Sequence, residues 1–214
     1  MKLQDLFEMP DFIDKDIEPF PFQHKNYSVE AVERSFDVIK KIKISKNTFW
    51  VAIKKNKEIA VLGVLSTRAE DDKPILKVIA EVEFKSTLDL SWDREFDVDA
   101  KHVLQVDGAS VLTSHQVSGI GTNLYFALAE AGFVVLSDTT QYRGGRKLWE
   151  KLIAFSKASA CAVYIIDNGK VVMDNDKPLI YNGTNYPADD IWATKKSSPD
   201  GSKRHVLLAL KRIS

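Results

Sequence analysis

The sequence predicts an α+β protein with one mixed β-sheet. Three observations predict this class. Two β-rich stretches, TFWVAIKKNKEIAVLGVLST and PILKVIAEVEFKST, predict a hairpin followed by a third antiparallel strand. The short apolar run GFVVLSD lies between two stretches with helical spacing, which predicts a strand buried on both faces. The last third of the chain predicts a strand, a turn around Asp167-Asn168-Gly169, a second strand and a final strand in RHVLLALKRI.

The composition is that of an ordinary globular protein. The chain has 214 residues, 44% of them hydrophobic, which is enough for one large domain or two small ones. Lysine and arginine balance aspartate and glutamate at thirty each. This zero net charge argues against a general nucleic-acid or membrane-surface binder, although a local basic patch remains compatible with it.

The single cysteine, Cys161, lies in the apolar run ACAVYII. We interpret it as a small buried hydrophobic residue, with a nucleophile as the less favoured alternative, and its lack of a partner cysteine fits a reducing compartment. The first residues, MKLQDLFEMPDF, carry acidic side chains and lack the apolar core of a secretory signal. No apolar stretch approaches the roughly 20 residues that span a bilayer. We therefore expect a cytoplasmic protein.

Residues 1–27 mix acids, prolines and phenylalanines. The prolines exclude a long helix, while Phe12, Phe20 and Phe22 need a surface to pack on. This predicts an N-terminal extended arm lying on a domain that spans residues 28–214, with a partner-binding tail as the alternative.

From Ser28 the pattern predicts a helix that continues to Lys41. Ser28 is a favourable N-cap, and lysines close the stretch. The apolar residues that recur at helical spacing are Ala31, Val32, Phe36 and Ile39.

Further along, LDLSWDREFDVDA predicts a loop and HVLQVDGASVL a strand. The stretch GGRKLWEKLIAFSKA predicts an amphipathic helix with Leu148, Leu152 and Phe155 on one side.

The stretch HQVSGIGTNLYFALAE places two glycines, Gly119 and Gly121, where a helix begins. Glycine reduces helix stability by about 1 kcal/mol relative to alanine, so these positions must need bare backbone for another reason. A helix start presents unpaired N–H groups and a partial positive charge, and glycines let a phosphate approach them. Thr122 would add a hydroxyl. A simple glycine-containing helix cap is the alternative.

Two nucleotide-binding motifs do not fit this stretch. The P-loop needs lysine and then Ser/Thr after its last glycine, but Thr122-Asn123 follow Gly121. The Rossmann motif needs a third glycine where Leu124 stands.

A third pattern fits. The stretch Gln116-Val117-Ser118-Gly119-Ile120-Gly121 resembles Q/R-x-x-G-x-G/A, the pyrophosphate-binding signature of the GNAT family of acyl-CoA N-acetyltransferases. The predicted element order is similar to that fold from about residue 28 onward. In addition, VVLSD…GGRKLWEKL resembles a segment of GNAT-like proteins of bacteriophages.

The resemblance implies a GNAT-like mixed sheet, splayed at its centre and flanked by helices, with acetyl-CoA as cofactor. It implies that Leu112 and Thr113 pair with the pantetheine arm like an extra strand. The strand in GFVVLSD would splay from its neighbour, and the helix from Gly145 to Phe155 would flank the cofactor. The residues around the pyrophosphate would be Gln116, Val117, Ser118, Gly119, Ile120, Gly121 and Thr122.

The resemblance also directs attention to acid–base residues. The family often uses a tyrosine of the penultimate helix as general acid, but RGGRKLWEKLIAF contains none, so Tyr142, just before it, is the candidate acid. A packing role is the alternative for Tyr142. For the base, Glu81 and Glu83 alternate with apolar neighbours and so share one strand face, where each is otherwise a solvated acid. Asp107 and His115 are further candidates for the base.

Asp138, after the buried strand, would bind a cationic acceptor or cap a turn. No spacing of histidines or cysteines indicates a metal site.

The leading hypothesis is thus an acetyl-CoA-dependent N-acetyltransferase that acts on an amine-bearing small molecule or protein by direct transfer. The rival hypothesis is a GNAT-like protein without turnover that serves in binding or assembly, for which the missing helix tyrosine and the aromatic arm speak. A third hypothesis, modification of a nucleic-acid base, is opposed by the neutral charge. The sequence leaves the oligomeric state open, a homodimer included.

Overall fold

The computed structural model describes residues 11–13, 25–44, 47–68, 72–85, 96, 98–115, 119–138, 140–192 and 206–213. Within these residues the chain is a mixed α+β structure built around one large sheet, so the predicted class is confirmed.

The elements follow one another along the chain with short connections. The strands are β1 (Asp11–Ile13), β2 (Asn26–Ser28), β3 (Phe36–Ile44), β4 (Asn47–Lys54), β5 (Ile59–Thr67), β6 (Pro74–Lys85), β7 (Val103–Val111), β8 (Val134–Leu136), β9 (Thr140–Tyr142), β10 (Cys161–Asp167), β11 (Lys170–Val171), β12 (Met173–Asp174), β13 (Lys177–Pro178) and β14 (Val206–Arg212). The helices are α1 (Val29–Ser35), α2 (Ile120–Glu130), α3 (Arg143–Ser156) and α4 (Ala188–Ile191). Two 3-10 turns lie at Ala100–His102 and Thr113–His115.

The main sheet has ten strands. Nine of them lie in the order β11-β10-β14-β8-β7-β6-β5-β4-β3, and β2 pairs with β6. All neighbouring pairs run antiparallel except β7 and β8, which run parallel and are connected through α2. The strand β14 lies between β10 and β8, although it is the last strand in sequence.

The helices cover both faces of the sheet. The buried residues of α2 and α3, such as Leu124 and Leu152, share one apolar cluster with Leu62 and Val82 of the sheet. On the opposite face, Val32 of α1 packs with Phe36 and their neighbours on β4, β5 and β6. These two clusters define the faces used below, namely the α2 face and the α1 face.

The predicted helix from Ser28 to Lys41 is wrong beyond Ser35. Ser28 does cap α1, because its hydroxyl accepts the N–H of Ala31 at 3.1 Å. From Phe36 onward, however, the backbone is extended and β3 pairs with β4 along its whole length, from Phe36↔Lys54 to Ile44↔Asn47. The β-branched residues of FDVIKKIKI fit a strand, and the pairing with β4 outweighs the helical spacing.

The strands predicted in the two β-rich runs, in HVLQVDGASVL and in GFVVLSD are confirmed, and β8 is buried at all three residues. The turn at Asp167-Asn168-Gly169 is confirmed as well, with positive φ at Asn168 and Gly169. The predicted loop LDLSWDREFDVDA lies mostly outside the described residues.

The predicted apolar side of α3 is partly wrong. Leu152 is fully buried, but Phe155 is 57% exposed. Trp149 is buried instead and meets Tyr125 of α2 edge to face, at 6.0 Å between ring centroids. The inward stripe of α3 is therefore rotated toward Trp149.

Cys161 is buried as predicted, and burial raises the pKa of its thiol to about 11.

Part of the N-terminal arm lies against the domain. Asp11–Ile13 pair in parallel with Thr140–Tyr142, and Asn26–Ser28 pair with Ile75–Lys77 of β6. The rest of the arm lies outside the described residues, so its boundary at residue 27 stays a prediction. Among the residues that the structure describes, no helix is both long and apolar enough to cross a membrane.

Candidate functional site

The sheet splits between its two parallel strands. The strands β7 and β8 pair over three residues only, from Val103↔Val134 to Gln105↔Leu136. The strand β8 then ends, while β7 continues to Val111. Beyond Gln105, no strand among the described residues pairs with this edge of β7. A cleft therefore opens between Val106–Val111 on one side and the chain after Leu136 on the other.

Local features of both margins explain this splay. On β7, Glu83↔Gly108 and Phe84↔Val106 are successive pairs, so Asp107 is an extra residue, a β-bulge, and a bulge bends its strand. On the other margin, Ser137 donates its N–H to Leu208 O at 2.8 Å and accepts the Leu208 N–H on its hydroxyl at 3.1 Å. These bonds hold the end of β8 to β14, away from β7.

The helix α2 begins at the open end of this cleft. Gly119 is its N-cap, with φ +72°, and no side chain caps the first turn. Asn123 directs both its N–H and its side-chain amide to Gly119 O, at 3.0 and 2.9 Å. The N–H groups of Ile120, Gly121 and Thr122 precede the first intrahelical donor, and they are the groups that an anion would contact at a helix start.

The two glycines have different structural roles. Gly119 adopts the left-handed conformation that favours glycine. A Cβ on Gly121 would lie 3.4 Å from Val111 Cγ2 and 3.6 Å from Leu148 Cδ1, so this glycine lets the helix start pack closely against β7 and α3. Both glycines therefore have reasons in the fold itself, and Gly121 directs its missing side chain into the protein.

The other residues predicted to hold the cofactor are placed as follows. Ile120 and Thr122 are buried, which limits access to the Thr122 hydroxyl. Leu112 donates its N–H to Ile79 O at 2.8 Å and accepts the His115 N–H at 2.7 Å, so its backbone is bonded within the chain. Thr113 begins the following 3-10 turn. Gln116, Val117 and Ser118 lie outside the described residues.

The predicted bases lie on β6, beside β7. Ala80, Val82 and Phe84 belong to the α2 face, so Glu81 and Glu83 point to the α1 face. Glu83 is exposed. Glu81 is buried, with its side chain 8% exposed, and its Oε1 accepts a hydrogen bond from Lys25 Nζ at 2.6 Å.

The ion pair between Glu81 and Lys25 was missed by sequence reasoning. The hydrogen bond to Glu81 raises the pKa of Lys25 despite partial burial. Burial, and then the nearby charge of Glu81, raise the pKa of Tyr27. Glu81 Oε2 is buried and has no hydrogen-bond partner in the described structure.

A second lysine connects the two margins of the cleft. Lys85 Nζ lies 3.1 Å from Asp107 Oδ1, at the bulge of β7, and 3.4 Å from Asp138 Oδ1, after β8. Burial alone would lower the pKa of Lys85, but the hydrogen bond to Asp107 and the charge of Asp138 outweigh it and raise the pKa. Two of the predicted acids are thus brought together through this lysine.

Tyr125 was also missed. It lies on α2, is buried, and has its pKa raised by burial and then by the charge of Asp138, so its hydroxyl keeps its proton. Its position six residues after Gly119, within the apolar run, is the only sequence signal that could have suggested it.

Tyr142, the predicted acid, ends β9 directly before α3, with its backbone paired to Ile13. The position of its side chain lies outside the described structure. His115 Nδ1 is 2.8 Å from Ser114 Oγ. Among the described residues, no group of three or more His, Cys, Asp or Glu is arranged to hold a metal ion.

No protein-family model, curated protein or solved structure matches this chain at a significant level.

Proposed function

We propose that the protein is an acetyl-CoA-dependent N-acetyltransferase of GNAT-like fold that transfers the acetyl group directly to an amine. One observation carries the proposal: the two parallel strands splay, and their cleft opens onto the start of α2, which no side chain caps. The described structure thus offers an unpaired strand edge and free N–H groups at neighbouring positions.

The groups at this cleft suit the parts of the cofactor. The edge of β7 from Val106 to Ser110 suits an extended pantetheine arm with its amide groups, as a further strand would. The start of α2, together with Gln116, Val117 and Ser118, suits a diphosphate. When bound, acetyl-CoA supplies the acetyl group as an activated thioester.

In this proposal the acids beside the cleft receive the proton of the amine. Glu81 and Glu83 lie on β6, one strand from the open edge of β7, and are the proposed bases. Asp138 lies on the other margin, where it would attract a cationic acceptor. Tyr142, at the start of α3, is the proposed acid for the leaving thiolate.

Thermal unfolding with acetyl-CoA tests the proposal. A ligand at a hundred times its dissociation constant should stabilise the protein by about 2.7 kcal/mol. Asn123→Asp adds a negative charge in the first turn of α2, where it would repel a diphosphate, and we expect it to weaken binding about tenfold.

Asn182→Asp is the matched control, because Asn182 Oδ1 only accepts hydrogen bonds and a carboxylate would keep them. We expect this variant to bind acetyl-CoA like the unsubstituted protein. If millimolar acetyl-CoA leaves the unfolding temperature unchanged, the proposal is wrong.

A GNAT-like binding or assembly protein without turnover, of a kind found in bacteriophages, is the second candidate. The sequence of α3, RGGRKLWEKLIAFS, favours it, because it contains no tyrosine and Trp149 is buried in the core. Thioester consumption measured across a panel of amines separates the two functions. Stabilisation by acetyl-CoA with no consumption of thioester would favour the binding protein.

A further inference from the structure

The carboxylate of Glu81 is bonded at only one of its two oxygens. Its side chain is 92% buried, Oε1 accepts the Lys25 ammonium, and Oε2 has no partner in the described structure. A buried carboxylate oxygen without a hydrogen bond is unfavourable, and such groups are uncommon in folded proteins. A second donor at Oε2 would remove this deficit.

Glu81 lies close to the open edge of β7. It pairs in register with Ser110, in the part of β7 beyond the pairing with β8. Neighbouring strands lie about 4.8 Å apart, so Glu81 is one strand from the cleft. A group bound at Glu81 on the α1 face would therefore be near anything bound along Val106–Ser110.

Lys25 reaches Glu81 from the line of β7. The strand β5 occupies one edge of β6, so β2 pairs on the same edge as β7. There, Lys25 O accepts the Val78 N–H at 3.1 Å, next to Ile79 O, which accepts the Leu112 N–H. Lys25 thus lies where β7 ends, and β2 holds this segment to β6 through three residue pairs only.

The side chain of Lys25 carries a primary alkylammonium group. The protonated form of an alkylamine acceptor is the same group, with the same three donors. Lys25 is 35% exposed and uses one Glu81 oxygen, which leaves room and an acceptor atom for exchange with a second amine.

We propose that Glu81 is the docking carboxylate for the primary ammonium group of the acceptor, and that Lys25 occupies this position in the free protein as an internal competitor. The identity of the bound amine as an acceptor rests on the proposed function, whereas the binding itself does not. The substrate class is a primary alkylamine, such as a diamine or a lysine side chain.

The test measures binding of n-butylamine by NMR chemical-shift changes in the full chain, without acetyl-CoA, and with n-butanol as the neutral control. A tethered competitor has an effective concentration in the millimolar range or above. Lys25→Met removes the competing ammonium, and we expect it to bind n-butylamine at least tenfold more tightly than the unsubstituted protein. Glu81→Gln should bind none in either background.

Lys77→Met is the matched control, because Lys77 is an exposed lysine on β6 beside β2. We expect it to bind n-butylamine like the unsubstituted protein. Equal affinity in Lys25→Met and Lys77→Met would overturn the proposal, as would binding that survives Glu81→Gln.

Lys25→Arg keeps the test informative if Lys25→Met does not fold. The guanidinium can bond both oxygens of Glu81, so the ion pair is kept and Oε2 is occupied. We expect n-butylamine to bind Lys25→Arg more weakly than the unsubstituted protein, and equal or tighter binding would contradict the proposal. Because acetyl-CoA is absent, a failure here is separate from a failure of the thermal-shift test.

Discussion

Two lysine–carboxylate sites lie on the same strand of the sheet and differ in their surroundings. Lys25 meets Glu81 in a buried position where one carboxylate oxygen lacks a partner. Lys85 meets Asp107, which is 53% exposed, and Asp138, which is 20% exposed. The comparison teaches that the same ionic chemistry serves different purposes: the first site is sensitive to loss of either member, whereas the second connects the cleft margins at small energetic cost.

The largest expected difference is in stability. Lys25→Met leaves the Glu81 carboxylate buried without its cation, and we expect a loss of about 2–3 kcal/mol, less than for a fully buried pair because Lys25 is partly exposed. Lys85→Met should lose less than about 1 kcal/mol. Urea unfolding at pH 7 measures both. Equal losses would show that burial does not distinguish the sites.

The next effect is the response to alkaline pH. The raised pKa of Lys25 means that the folded state holds this proton more tightly, so the stabilisation is complete below about pH 10.5 and is lost as pH rises through the raised value. The stability difference between the unsubstituted protein and Lys25→Met should therefore shrink above pH 10.5. Cys161, with its pKa of about 11, adds a decline between pH 9 and 11 that is common to both proteins and cancels.

Urea midpoints at pH 9, 10 and 11.5 measure this difference. A difference that stays constant over this range would show that Lys25 is not stabilised as a cation by Glu81.

The smallest effect concerns salt. At 1 M ionic strength the screening length is about 3 Å, which weakens exposed ion pairs far more than buried ones. Double-mutant cycles should give a Lys85–Asp138 coupling of about 0.5 kcal/mol at low salt that falls toward zero at 1 M NaCl. The Lys25–Glu81 coupling should persist. Parallel salt dependence of both couplings would contradict the assignment of one site as buried.

Local patterns predicted most of the fold. The strands β4 to β7 alternate or carry β-branched residues, and α2 follows its glycines as predicted. The region 36–44 was predicted as a helix because Phe36 and Ile39 fit both periods, and only the pairing with β4 decides between them. Phe155 fits the helical stripe by spacing, but the rotation of α3 brings Trp149 inward instead.

The candidate site was predicted less completely, because its contacts join distant parts of the chain. Glu81 and Glu83 were placed on one face by strand alternation alone. The partner of Glu81, Lys25, is 56 residues away in sequence, and no local pattern connects them. The bulge at Asp107 depends on the register of β7 against β6, which the sequence of either strand alone does not determine.

The position of β14 between β8 and β10 has a consequence for biosynthesis. Residues 206–212 leave the ribosome after every other strand of the sheet, yet they join its two halves. Until they arrive, the edges of β8 and β10 have no partner between them, and an open strand edge invites pairing with other nascent chains. The late closure of a contact about 70 residues long in sequence is also intrinsically slow. We therefore expect the nascent protein to depend on chaperones most in the final moments of its translation.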